Sequence, residues 1–330
     1  MTISLDPIRD DLIAWAESLY LPDTGAFRNG DAPAPSLPST LFITYILYSM
    51  NALDAVALDR AKWIAWIQSQ QSEQDGTFVF PPSDRRGIAF WNAVRALNML
   101  DAQVLKFPDN QRGATTVAGL RQWFKTWQSS GDTHHEVLAL APMLVSHPDP
   151  AWIQAFFEEL AAQQHPALGT WPAEGPTNIS RTFAYSLIYT GMDKLPPQAE
   201  KIVDAMRSLQ EENGFWHGSP NFSTMDAVYL LSRLPKATGW REAEANAALH
   251  RTTDALMPYY KAHAERDKQD THQFAATVQT LALLYEALPQ RFTTSHPWRF
   301  GWSNRVFWQC RVIEEALTAL PHTNTGAHQL

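Results

Sequence analysis

Two Asp-Thr-His strings stand far apart in this 330-residue chain: Asp132, His134, His135 and Glu136 in DTHHE, and Asp270 and His272 in DTHQ. A further acid, Asp226, sits in STMDAVYLL. Paired carboxylates suit glycoside hydrolysis, where one is held protonated as the acid and the other works ionised as base or nucleophile. Asp132 and Glu136 are four residues apart and share a face of any helix that carries both. Asp226 or Asp270 would then supply the facing carboxylate. Alternatively, His135 and His272 act as bases in a lyase, with Tyr185, Tyr189 or Tyr229 donating the proton. No H-x-x-x-H or H-E-x-x-H spacing accompanies these groups, so neither a metal nor a cofactor is expected. Several of the same positions have a simpler use, because Asp132, Ser180, Ser223 and Asp270 are good helix N-caps.

The elements that must position these residues repeat. Polar or acidic groups open an apolar helix near Thr40, Ile88, Thr133, Arg181, Thr224 and Thr271, at spacings of 48, 45, 48, 43 and 47 residues. Each of these helices follows a more charged one across a loop marked by Gly or Pro. DPIRDDLIAWAESLY opens the first unit, with Asp6 expected as cap and Pro7 in the first turn. Ser39 or Thr40 is expected to cap its second helix. Pro142 should kink or end the second helix of unit three. Helices such as FAATVQTLALL carry almost no charge and should be buried on most sides, whereas the first helices carry Lys, Arg and Glu on one face. Six helix pairs predict an all-α fold, an (α/α)6 toroid, spanning residues 1–320 as one domain. SNRVFWQCRVIEEALTAL adds an extra C-terminal helix, and a tail at 321–330 is expected to be disordered.

In such an arrangement the second-helix starts converge on one cavity mouth, where free N–H groups favour anions. Trp91, Trp171 and Trp216 would stack on a ligand there. His134, His217, Arg86 and Arg181 would bind its polar or acidic groups. The simpler uses are core packing for the aromatics and solvated loop charge for the arginines.

The loops QSQQSEQDGTFVF and RSLQEENGFWHG both run from a helix ending in Gln, through an acidic pair, to Gly and an aromatic. Gly25-Ala26-Phe27 and Gly169-Thr170-Trp171 are weaker copies. The pattern resembles the glutamine–tryptophan type repeats of squalene-cyclase-like and protein-prenyltransferase-like toroids. Glycan-processing (α/α)6 enzymes are similar in architecture. The resemblance implies a ring of helix pairs around a central site. The Asp-x-Asp-Asp acid motif of terpenoid cyclases does not occur, and the single cysteine, Cys310, stands too far along for a prenyltransferase zinc site.

The formal charge is −8 with 18% charged residues, which offers no electrostatic footprint for nucleic acid or an anionic membrane. One cysteine excludes an intrachain disulfide. The first twenty residues carry acids and no basic n-region, so a signal peptide is not expected and a cytoplasmic location is. No apolar run is long enough to span a bilayer. The leading expectation is a carbohydrate-active enzyme, a glycoside hydrolase of a small or acidic glycan. A terpenoid-cyclase-like small-molecule enzyme and a non-catalytic binding or scaffold protein stay open beside it. The substrate and the oligomeric state are not specified by the residues.

Overall fold

The computed structural model describes residues 2–80, 85–127 and 133–319. Asp132, the turn at Gly131 and the tail at 321–330 lie outside the described residues. The described chain is predominantly helical and belongs to the all-α class. The more charged first helices are α1 (Asp6–Leu19), α3 (Arg60–Ser69), α6 (Val117–Trp127), α9 (Pro150–Ala162), α11 (Ala199–Ser208) and α13 (Glu242–Asp267). The apolar second helices are α2 (Leu37–Ser49), α4 (Arg86–Met99), α7 (Thr133–Ala139) with α8 (Ala141–Ser146), α10 (Ile179–Gly191), α12 (Phe222–Thr238) and α14 (Thr271–Ala287). A short α5 (Asp109–Arg112) precedes α6, and α15 (Arg311–Thr318) is the extra C-terminal helix. The break between α7 and α8 falls just before Pro142, where the ring cannot continue the hydrogen-bond ladder.

Each second helix packs on the next: α2 on α4, α4 on α7, α7 on α10, α10 on α12, α12 on α14, and α14 back on α2. That placement follows from composition. In α2 every residue but Pro38 is buried, which only a helix flanked on most sides can satisfy. By contrast, α11 buries a stripe, Ala199, Ile202, Val203 and Met206, and leaves its charged face to water.

The repeated loop has a structural purpose. A Gln two residues past the end of the first helix reaches across the turn: Nε2 of Gln71, Gln164 and Gln210 donates to the carbonyls of Gly76, Gly169 and Gly214. The same nitrogens also donate to the next unit, at Lys106, Pro197 and Ala248. Gly25, Gly76, Gly169 and Gly214 all take left-handed φ of 69–84°, which explains glycine at this point of the turn. Two residues on, an aromatic turns inward. The backbone N–H of Phe27, Trp171 and Trp216 donates to the hydroxyl of Thr40, Thr182 and Thr224, one turn into the following helix.

Several expected caps move. Ser36, Asn178 and Asn221 cap α2, α10 and α12 in place of Ser39 or Thr40, Ser180 and Ser223. Asp6 is the first residue of α1 rather than its cap, and its carboxylate accepts from Thr294 and Ser295. This contact lies beside the parallel pairing of Ile3–Ser4 with Phe292–Thr293, which joins the N-terminal segment to the chain that follows α14.

Beyond that pairing the chain crosses the C-terminal ends of the second helices. Arg299 N donates to the Ser49 carbonyl, Gly301 lies against Tyr48 and Met99, and Trp308 fills the space beside Gly191. Asn98 Nδ2 holds the crossing segment by donating to the Phe307 and Gln309 carbonyls. Trp298, Phe300, Trp302 and Trp308 are buried by this crossing. The helices are thereby covered at one end and open at the other. No helix among the described residues is long and apolar enough to cross a membrane.

Candidate functional site

A cavity of about 720 Å³ opens among the second-helix starts, and all six second-helix positions contribute to it. Phe42 comes from α2, Ile88 and Asn92 from α4, His134 and His135 from α7, Arg181 and Phe183 from α10, Asp226 from α12 and His272 from α14. His217, Arg85 and the loop before α10 complete the mouth, and Trp302 of the C-terminal crossing forms part of the wall. The convergence has a local cause: the starts of α2, α4, α10 and α12 follow loops held by the glutamine or threonine contacts above, which turns them toward the shared space.

Asp226 is 2% exposed. Ser180 Oγ donates to its Oδ2 at 2.7 Å from the neighbouring helix. Burial pushes the carboxyl up to about 8, against the opposing pull of that hydrogen bond, so the protonated form predominates at pH 7. Among the described residues it is the one carboxylate that lines the cavity.

The imidazoles have different surroundings. The rings of His134 and His135 lie 4.0 Å apart. Burial, reinforced by the charges of His135, Arg181 and Arg85, holds His134 down at about 2, and it is neutral at any ordinary pH. His272 packs at 4.8 Å on Phe42 and 4.5 Å on Phe222. The residue is exposed at the mouth, yet desolvation by the surrounding rings lowers its pKa, opposed by Asp270. His217 has a φ of 57°, a region that costs a non-glycine residue about 1–2 kcal/mol. Its Nδ1 is hydrogen-bonded to Ser223 Oγ at 3.0 Å, which directs the strained residue's ring at the mouth.

Thus Asp226, His134, His135, His272, His217 and Arg181 are brought to one cavity, and the other described sequence candidates do not line it. Glu136 is buried with its Oε1 accepting from Gly87 N at 3.2 Å, so it serves the start of α4. Asp270 caps α14 by accepting from His272 N and Gln273 N. Asp132 lies outside the described residues. Arg86 turns to Asp75 at 2.8 Å. Trp171 and Trp216 are core: their Nε1 groups donate to the Leu160 and Met206 carbonyls in the last turns of α9 and α11. Trp91 is also buried, against Trp308 and Arg95. These three Trp side chains satisfy the interior, which is the ordinary use of an aromatic at a helix junction.

Phe42, Asn92, Phe183 and Trp302 carry no motif and were not among the expected ligand contacts. Phe42, Asn92 and Phe183 stand one to two turns into α2, α4 and α10, where helical periodicity places a second tier of lining residues. Trp302 offered no local signal, because its place depends on the C-terminal crossing. Among the described residues no group of three or more His, Cys, Asp or Glu is placed to hold a metal ion. No protein-family model, no curated protein and no solved structure matches the chain.

Proposed function

We propose that the protein is an (α/α)6 toroid of the squalene-cyclase-like kind that works as an acid–base enzyme on a small amphiphilic molecule. The six helix pairs, the return contact of α14 on α2 and the glutamine-clamped loops support the architecture. The reaction rests on one feature above all: a buried Asp226, its carboxyl pushed up to about 8, facing a cavity walled by Phe42, Phe183, Phe222 and Trp302. An apolar portion of the substrate lies on those rings, and its polar group meets the arginine and histidine side of the mouth.

Asp226 donates its proton to an alkene carbon or an oxygen of the bound molecule. Ser180 keeps its hydrogen bond to Oδ2 and stabilises the carboxylate left behind. His272, whose pKa desolvation lowers, accepts a proton from another atom of the same substrate. The net change is an isomerisation or cyclisation without redox partner. An acid pushed up and a base pushed down within one cavity is the division of labour such a reaction needs. Asp226 would equally serve as the acid of a glycoside hydrolase, but the wall offers no second carboxylate among the described residues.

The test is proton exchange. The protein is incubated in D2O with a panel of small unsaturated alcohols, carboxylates, prenyl diphosphates and short glycosides, and products are read by mass spectrometry. The expected result is deuterium-bearing isomer that falls by about 10²-fold or more in Asp226→Asn. Turnover that Asp226→Asn leaves intact would overturn the assignment of the acid. Hydrolysis of the glycosides alone would favour the second chemistry.

A further inference from the structure

Arg95 is fully buried on α4, and no carboxylate pairs with it among the described residues. Its guanidinium is boxed by aromatic faces instead, 4.2 Å from Trp302, 4.5 Å from Trp91 and 4.8 Å from Tyr45. Burial lowers its pKa only to about 10, so it stays charged at pH 7. Its hydrogen bond goes to Asn92, three residues earlier on the same helix face: Nη2 donates to Oδ1 at 2.5 Å. The Tyr45 hydroxyl donates to the Asn92 backbone carbonyl at 2.5 Å and stands 3.1 Å from the same Oδ1.

These contacts decide which way the carboxamide points. A guanidinium can only donate, so the atom facing it must be the oxygen. Turning the amide over would set N–H against N–H and forfeit a charge-assisted bond. The Nδ2 group is therefore directed away from Arg95. It makes no hydrogen bond to any described residue, and Asn92 lines the cavity beside Trp302. Asn92 as a residue is 2% exposed, and its amide nitrogen, unlike the enclosed Nη1 of Arg95, keeps contact with the cavity space, where a ligand can meet it.

We infer that Asn92 is a ligand-binding residue whose Nδ2 donates to an uncharged oxygen, a carbonyl, ether or hydroxyl, on the part of the ligand that reaches the Trp302 wall. Arg95 is a positioning residue: it locks the amide and, by polarising Oδ1, strengthens the N–H donors on the other side. The inference rests on the reading of this cavity as a small-molecule site. It adds that the ligand carries an oxygen at its inner end as well as any polar group at the mouth.

The test uses two probes that differ only in a C=O against a CH2, 4-acetylphenylacetate and 4-ethylphenylacetate, titrated calorimetrically into the full chain. The wild type should bind the ketone about tenfold more tightly, the worth of one well-placed hydrogen bond. Asn92→Asp presents only acceptors to the ligand and gives Arg95 a counter-ion, so the fold should persist, checked by thermal unfolding, while the preference disappears. Arg95→Met should shrink the preference yet leave the affinity for the ethyl compound in place; equal weakening of both probes would reduce Arg95 to packing alone and overturn its positioning role. Equal binding of the two probes to the wild type, or a preference that survives Asn92→Asp, overturns the inference and leaves the cavity reading standing. If neither probe binds, the small-molecule reading of the cavity falls, and the inference falls with it.

Discussion

Replacing Asp226 with Asn should make the protein more stable and less active. The carboxyl is held at about 8 in the fold, against 3.8 as its ordinary value. Between these limits the folded chain keeps a proton that the unfolded chain releases. Stability therefore falls as pH rises through this window, by about 1.4 kcal/mol per pH unit, and levels off above the folded pKa. At pH 7 the accumulated cost is on the order of 4 kcal/mol relative to a side chain that never ionises. Asn is such a side chain, and its Oδ1 can still accept from Ser180. His134 works in the opposite direction: it stays neutral in the fold while the unfolded chain protonates it, so its contribution is lost as pH falls below about 6.5. The wild-type curve alone mixes the two, and the difference between wild type and Asp226→Asn isolates the carboxyl. Urea unfolding of both proteins from pH 4 to pH 9 measures it. The expected difference is near zero at the acid end, grows in favour of Asn, and plateaus at alkaline pH. Parallel curves across the whole range would refute the buried, protonated acid, and with it the mechanism built on Asp226. A stabilising substitution that removes activity is the usual mark of a group kept for function at a cost to the fold.

Two further outcomes test the surroundings. Proton NMR of the imidazole resonances should show no titration of His134 above about pH 4, given burial beside His135, Arg181 and Arg85; an inflection between 6 and 7 would show that the site is wetter than its geometry implies. Gln71→Leu should destabilise by about 2–4 kcal/mol, because Gln71 also accepts from Leu105 N and Lys106 N and its loss strands groups on both sides of the loop, whereas Gln70→Leu on the exposed face should stay within about 0.5 kcal/mol. Equal shifts in the unfolding midpoint for the two variants would deny the clamp.

What the chain declared by itself is what neighbouring residues control. The starts of α2, α4, α7, α10, α12 and α14 follow from caps, prolines and apolar runs within a few residues of each, and the sequence marks all six to within a turn. Even there the exact cap was ambiguous: Asn178, not Ser180, closes the start of α10, since several polar residues stood in reach and only the loop's path chose among them. The equivalence of those starts also pointed to Asp226, Arg181, His134 and His272 as neighbours in space.

Which side of a helix start faces the cavity was decided by tertiary packing alone. Glu136 and Asp270 are acids at the same kind of position as Asp226, yet one is drawn to the Gly87 amide and the other to its own helix end. Trp171 and Trp216 looked like ligand platforms and became core, because the clamped loop turns them in toward the last carbonyls of α9 and α11. Trp302 entered the cavity wall from more than a hundred residues beyond α10, and Arg95 set the orientation of Asn92 from beneath it. Helix formation is settled by contacts along the chain, whereas a cavity is the space left after distant side chains have taken their places. Periodicity therefore located the mouth, and only the assembled helices chose the groups that face it.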